Sequence, residues 1–297
     1  MKKSGLLVFV GFVMIAAAAL LFSFRQDNRA GTTDGGPAGG PAEGRPGGSL
    51  KWKTGVALYS FNRFSFEKAL DMADSINANY VEGFFFHKLG EGFNGHSIPA
   101  LNDEEIAKMK GMLDKRGLKM RSLYADGKTE EDWKANFVFA KKMGLEFLTG
   151  EPQKQHWDAI EKLAAEYRVK IAIHEHAKGS SYFWHPDSVL MAMKDRPHFR
   201  ACADLGHWVR SGLDPVKCLK MLEGKIVCLH VKDLDAAGNL KANDVMVGTG
   251  VLDYPAIVAE LKRQRFDGYV YIEREGNWDR NIPDVDHALK FLDRLNR

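Results

Sequence analysis

The sequence predicts an α/β fold: a single (β/α)8 TIM barrel preceded by an N-terminal apolar export or anchor segment and a disordered linker. Three observations predict it. Eight short β-branched or apolar runs alternate with eight longer amphipathic ones, the pattern of a parallel sheet with helical crossovers. What remains of the 297-residue chain after its unusual first fifty residues is close to the roughly 250 residues typical of such a barrel. The last five strand-like runs each lead into Asp, Glu or His, and barrel active sites are built at the carboxyl ends of the strands.

The amino terminus comes first. Lys2 and Lys3 precede an apolar run from Gly5 to Phe24 broken only by Ser23, and Arg25 follows. A positive start before an apolar stretch directs a chain to the export machinery, and about 20 residues suffice to span a bilayer as a helix. No small-x-small cleavage site follows the run, and no cysteine is present there to carry a lipid. Residues 1–25 therefore read as a signal-anchor, with a cleaved signal peptide as the alternative. Residues 26–50 are rich in Gly, Pro, Ala and Thr and nearly free of large apolar side chains, the composition of a flexible tether. With the positive residues inside, the barrel is expected outside the cytoplasm, periplasmic or membrane-anchored.

Residues 51–297 are expected to form the barrel. Its strands read as Gly55–Ser60, Tyr80–Phe85, Lys119–Tyr124, Glu146–Thr149, Val169–His174, Arg200–Asp204, Ile226–Val231 and Tyr269–Glu273. The helical patterns between them are Ser65–Ile76, Asp103–Arg116, Thr129–Lys142, Lys154–Tyr167, Pro186–Lys194, Pro215–Leu222, Tyr254–Arg263 and Pro283–Leu295. Leu70, Ala73 and Ile76 keep a helical period. Asn102 before three acids, and Asp214 before Pro215, are helix-start signals. An open doubly wound sheet is the alternative, but no GxGxxG or P-loop follows the first strand.

Composition narrows the function. The chain is 45% hydrophobic and 27% charged with a formal net charge of +3, and its basic residues are scattered among acids, so nucleic acid is not the expected partner. The cysteines Cys202, Cys218 and Cys228 fit no zinc spacing and read as small buried core residues. The sequence leaves open whether the barrel forms a homo-oligomer.

The chemistry gathers at the strand ends. Strand four leads into Gly150-Glu151-Pro152, strand five into His174-Glu175-His176, and strand six into Asp204-Leu205-Gly206-His207-Trp208. Strand seven ends in His230-Val231-Lys232-Asp233 and strand eight in Glu273-Arg274-Glu275. Several anions converging on one mouth repel one another without a cation. Mixed carboxylate and imidazole donors suit one divalent ion, Mn, Zn, Co, Fe or Mg, and the lack of a cysteine among these residues argues against thiolate-loving metals.

At these residues the chain resembles the xylose isomerase-like TIM-barrel superfamily, the sugar phosphate isomerase/epimerase group. The resemblance runs over roughly residues 53–295. It is carried by Ala203-Asp204-Leu205-Gly206-His207-Trp208, Leu229-His230-Val231-Lys232-Asp233, Gly248-Thr249-Gly250-Val251-Leu252-Asp253 and Tyr271-Ile272-Glu273. It implies metal ligands after strands five to eight. Asp204, His230 and Glu273 match those positions, whereas His174 stands where an acid is usual and Glu175 comes one residue later. The expected ligand set is therefore Glu151, His174, Asp204, His230 and Glu273, with Glu151 supplying the missing carboxylate.

The resemblance implies a metal-dependent sugar isomerase or epimerase that removes a proton next to a carbonyl. Glu151, Glu273, His207 and Lys232 are the expected catalytic residues, and His176, Trp208, Trp184 and Tyr59 the expected contacts to a small sugar or glycoside. Three alternatives stand beside it: a lyase or hydratase acting on oxidised (3-keto) glycosides, a non-catalytic exported sugar-binding domain, and a phosphodiesterase of the endonuclease IV type.

Overall fold

Successive side chains of a strand point to opposite faces, so in a closed barrel every second residue faces the interior. The computed structural model describes residues 52–296, and the expected anchor (1–25) and linker (26–50) lie outside the described residues. Among the described residues no helix is long and apolar enough to cross a membrane.

Strands β1 (Lys53–Ala57), β2 (Tyr80–Phe84), β3 (Lys119–Tyr124), β4 (Phe147–Gly150), β5 (Lys170–His174), β6 (Phe199–Asp204) and β7 (Ile226–Val231) come first. A small antiparallel pair, β8 (Asp233–Leu234) and β9 (Asp244–Val245), follows, and β10 (Tyr269–Ile272) is the eighth barrel strand. The parallel barrel closes in the order β1-β10-β7-β6-β5-β4-β3-β2.

The crossovers carry α1 (Phe66–Ser75), α2 (Asp103–Asp114), α3 (Glu130–Met143), α4 (Trp157–Tyr167), α5 (Pro186–Met193), α6 (Leu205–Arg210), α7 (Pro215–Met221) and α8 (Tyr254–Arg263), and α9 (Ile282–Asn296) follows β10. Local chemistry sets their starts. Asn102 and Thr129 each make a reciprocal capping box, with Glu105 and Asp132 respectively, satisfying backbone N–H groups that a helix start leaves free.

Two expectations shift at strand ends. The first strand stops at Ala57, and Leu58–Phe61 turns as a short 3-10 helix. That turn brings Ser60 to the end of β10, where its Oγ accepts from Arg274 N at 2.9 Å. After β6 the chain turns directly into α6, because the Asp204 carboxylate accepts from His207 N at 2.8 Å and caps it.

The interior is layered. Toward the amino-terminal end of the strands, Tyr269 packs on Tyr80 and Phe147. Above it Ser122 Oγ bonds Tyr271 OH at 3.1 Å, and Cys202 pairs with Cys228 in register. Glu82, Thr149, His174 and His230 begin the polar layer. Apolar packing fills the bottom of the barrel, and the polar groups are lifted toward the carboxyl-terminal mouth.

Candidate active site

Pairs two residues apart share a face, so β5 aims His174 and His176 at the mouth, β7 aims His230 and Lys232, and β10 aims Glu273 and Glu275. His174, Asp204, His230 and Glu273 each offer a donor atom, all within 4.8 Å of one another, and all four residues are buried. His174 Nε2 lies 3.4 Å from Asp204 Oδ2, and His230 Nδ1 lies 3.3 Å from Glu273 Oε2. Both ring nitrogens of His174 and Nδ1 of His230 are buried without a hydrogen-bond partner. Buried polar atoms are seldom left so, and here the imidazole nitrogens face the carboxylates of Glu151, Asp204 and Glu273 at 3.3–3.7 Å. The donor set fits a divalent cation.

Glu151 stands apart from that set. It groups instead with His174 and His176: its Oε1 accepts from Tyr124 OH at 2.8 Å, hydrogen-bonds His176 Nδ1, and lies 3.7 Å from His174 Nδ1. Of the five expected ligands, four thus form one group, and the fifth, Glu151, pairs beside it with His176. Burial works to raise the Glu151 carboxyl, but the adjacent His174 imidazole and the hydrogen-bonded His176 outweigh it and hold the group well below the usual carboxylate range.

Lys232 is the third component. Its ammonium lies 2.6 Å from Glu273 Oε2, 2.7 Å from Glu275 Oε1 and 2.9 Å from Asp204 Oδ2. Burial alone would lower a lysine, yet these three carboxylates hold it well above its ordinary value. Arg210 Nη1 donates to the other Glu275 oxygen at 2.8 Å.

His207 is nearly enclosed, and burial lowers it to about 3. It is a neutral imidazole whose Nε2 lies 3.9 Å from Asp204 Oδ2 and 3.8 Å from Glu275 Oε1.

His174 shows the competing forces most plainly. Desolvation pulls it down, but Asp204 and Glu151 on either side raise it to about 9. Glu175, one residue on, points the other way: it is fully buried, and burial raises it to about 8 while it accepts from Trp208 Nε1 at 2.9 Å.

This contact corrects the expectation for Trp208. Its ring is wholly buried in the core and tied to Glu175, so it cannot wall a pocket. Trp184 is half-buried beside His185 and under Lys178 Nζ, neither of which belongs to the donor groups. Tyr59 does reach the mouth. Burial raises its hydroxyl, and the nearby charges of Glu275 and Glu273 add to the effect. Its ring packs against Phe84, Phe86 and Trp278.

Contrary to the expected absence of a cysteine, Cys202 lies within 4.8 Å of donor atoms on His174 and His230. Sequence reading overlooked Glu82, which is fully buried and meets His230 Nε2 at 2.6 Å, and it gave no role to Tyr124 or Arg210. A lone acid inside the apolar run of β2 was the available signal for Glu82.

A family model described as xylose isomerase-like TIM barrel matches residues 70–295. An inosose dehydratase from Clostridium beijerinckii is 22% identical over 254 residues, covering 69% of this chain and 85% of that protein. The crystal structure of an uncharacterized protein from Parabacteroides distasonis superposes with a TM-score of 0.67 at 36% identity, over 82% of this chain and 99% of the other. An IolI protein solved with a bound zinc atom superposes at TM-score 0.65 and 18% identity, over 82% and 98% of the two chains. Because the family match runs from α1 into α9 and takes in well over half of the sequence, the chain belongs to the xylose isomerase-like TIM barrel family.

Proposed function

We propose that this protein is a divalent-metal-dependent enzyme that moves a proton at the carbon next to a carbonyl in a small sugar-like substrate, as an isomerase or epimerase does. The observation that carries the reading is the buried His174–Asp204–His230–Glu273 donor set, with the Glu151–His176 pair on one flank and Lys232 on the other. A bound divalent ion would supply Lewis-acid polarisation of the substrate's carbonyl and hydroxyl oxygens.

The chain's own residues do the rest. His176 is the partly open member of its pair, with 36% of its side chain exposed. The Glu151 carboxylate can only accept, so His176 Nδ1 carries the proton and its Nε2 lone pair is free to take one from carbon. Glu273 is pushed up by burial, but Lys232 and His230 overcome this and hold it well below its usual range, which suits a ligand better than an acid. Lys232 and the neutral His207 supply N–H donors on the opposite side.

A second reading shares the first step. After proton removal, a hydroxyl or glycosidic oxygen on the next carbon leaves, giving a dehydratase or a lyase on keto-glycosides. The likeness to an inosose dehydratase across most of that protein's length supports it.

The test is incubation of the metal-loaded protein in D2O with ketohexoses, cyclic keto-polyols and 3-keto-glycosides. Deuterium beside the carbonyl supports proton transfer, and loss of water or aglycone selects the second reading. No exchange and no product across the panel, with metal bound, would overturn both. The reading includes a membrane tether or periplasmic location, supported by Lys2, Lys3 and the apolar run that follows them. Protease added to spheroplasts should then digest the barrel, and complete protection there, with digestion only after lysis, would overturn the export reading.

A further inference from the structure

We propose that Cys202 is an inner ligand of the metal site, so that this barrel selects a thiophilic divalent ion such as Zn2+ or Co2+ over Mg2+. The inference rests on the metal reading above and goes beyond it by naming a ligand and a metal class.

The geometry begins with register. His174 at the end of β5 pairs with Cys202 on β6, and Cys202 pairs in turn with Cys228 on β7. Asp204 lies two residues beyond Cys202 on the same face, beside His230. The thiol thus stands one layer below the carboxylate, next to the same two imidazoles. Cys202 Sγ and donor nitrogens of His174 and His230 all lie within 4.8 Å of one another, and all three residues are buried.

A second observation points to a ligand there. Both ring nitrogens of His174 and Nδ1 of His230 are enclosed and have no hydrogen-bond partner. A tetrahedral ion with bonds of about 2.0–2.3 Å brings its ligand atoms to about 3.5 Å from one another, so small side-chain adjustments would close this group around one ion. The two imidazoles are common to both groups, one of which adds Asp204 and Glu273 and the other Cys202. Hard Mg2+ gains nothing from a thiolate and little from imidazole, whereas Zn2+ and Co2+ gain from both.

The experiment uses the full-length protein loaded with Co2+, read by absorption spectroscopy, with X-ray absorption of the Zn2+ form beside it. The expected result is a sulfur-to-cobalt charge-transfer band that is lost in Cys202→Ser and kept in Cys228→Ser. One sulfur neighbour of zinc is expected, together with at least a tenfold fall in preference for Zn2+ over Mg2+ in Cys202→Ser. The zinc measurement needs no variant and stands even if Cys202→Ser fails to fold. Bound metal with only nitrogen and oxygen neighbours, or a band that depends on Cys228 alone, overturns the assignment of Cys202 and leaves the metal reading standing. Failure to bind any divalent ion overturns both.

Discussion

His230 Nε2 and Glu82 Oε2 face each other at 2.6 Å across the barrel interior, both fully buried. The other Glu82 oxygen accepts from Thr149 Oγ1 at 2.6 Å, which fixes the carboxylate in place. A carboxylate that only accepts keeps a proton on Nε2 and leaves Nδ1 facing Glu273 and the donor set. Outer partners of this kind typically contribute tenfold to a hundredfold in metal affinity. Glu82→Ala is therefore expected to weaken zinc binding by about that factor in a chelator competition, with a smaller loss in Glu82→Gln. Unchanged affinity in both would show that the pair does not orient the ligand.

Asp204 has two separable duties. One oxygen caps α6 through His207 N, and the other faces His174 and Lys232. Asparagine keeps the capping oxygen but removes the charge, and alanine removes both. Asp204→Asn should lose bound metal while keeping the cap, and Asp204→Ala should lose metal and about 1 kcal/mol of cap stability besides. Equal melting temperatures for the two variants would argue against the capping role.

Much of this site was legible because a barrel converts period-two sequence into geometry. His174/His176, His230/Lys232 and Glu273/Glu275 are two apart, so each pair had to share a face, and Glu175 had to turn away from it. What sequence could not fix was lateral distance. Glu151 and Asp204 flank His174 from neighbouring strands, and only the real stagger of β4 against β5 shows that Glu151 reaches His176 instead of joining the group of four. Trp208 misled for a related reason. It follows the capped start of α6, and the first helical turn rotates its ring outward onto Glu175 while His207 stays at the mouth. Cys202 looked like inert core filling because its meaning depends on His174 beside it in the sheet.

His87 gives a pH-dependent prediction away from the metal ligands. It is 4% exposed among Phe66, Phe84 and Phe86, and neither ring nitrogen has a partner. Burial lowers it from 6.5 to about 4. Below pH 6.5 the unfolded chain takes up a proton that the folded chain refuses, so stability present above that value is lost as pH falls toward 4. The loss reaches about 2 kcal/mol near pH 5. His87→Phe, which keeps the aromatic contacts, should remove most of that loss in urea unfolding at the two pH values. An unaltered slope would mean that other groups govern acid stability.

Asp233 anchors the loop that follows β9. Its two oxygens accept from the backbone N–H groups of Leu234, Gly248, Gly250 and Leu252 at 2.9–3.1 Å. A Cβ on Gly250 would stand 2.3 Å from Leu234 O and 2.4 Å from Asp233 Oδ1, so only glycine allows this approach. Hydrogen bonds to a charged group contribute about 1.5–3 kcal/mol each and are not additive. Asp233→Ala should cost at least about 3 kcal/mol in chemical unfolding, with Gly250→Ala destabilised as well. A loss under about 1 kcal/mol in both would remove the loop's claim to a single fixed conformation.

Gly206 tests whether packing or helix propensity governs the turn between Asp204 and His207. In an exposed helix, alanine in place of glycine gains up to about 1 kcal/mol. Here the added Cβ would lie 2.2 Å from Lys232 Cγ and 2.7 Å from its Cδ. Lys232 cannot swing away freely, because its ammonium is held by Asp204, Glu273 and Glu275. Overpacking a buried contact costs about 1–3 kcal/mol, so the clash should outweigh the propensity gain. Gly206→Ala is expected to lower the melting temperature, and to reduce turnover further than that loss alone explains, because Lys232 is pushed from the carboxylates it neutralises. A raised melting temperature would mean that α6 moves aside at little cost, leaving the lysine where it is.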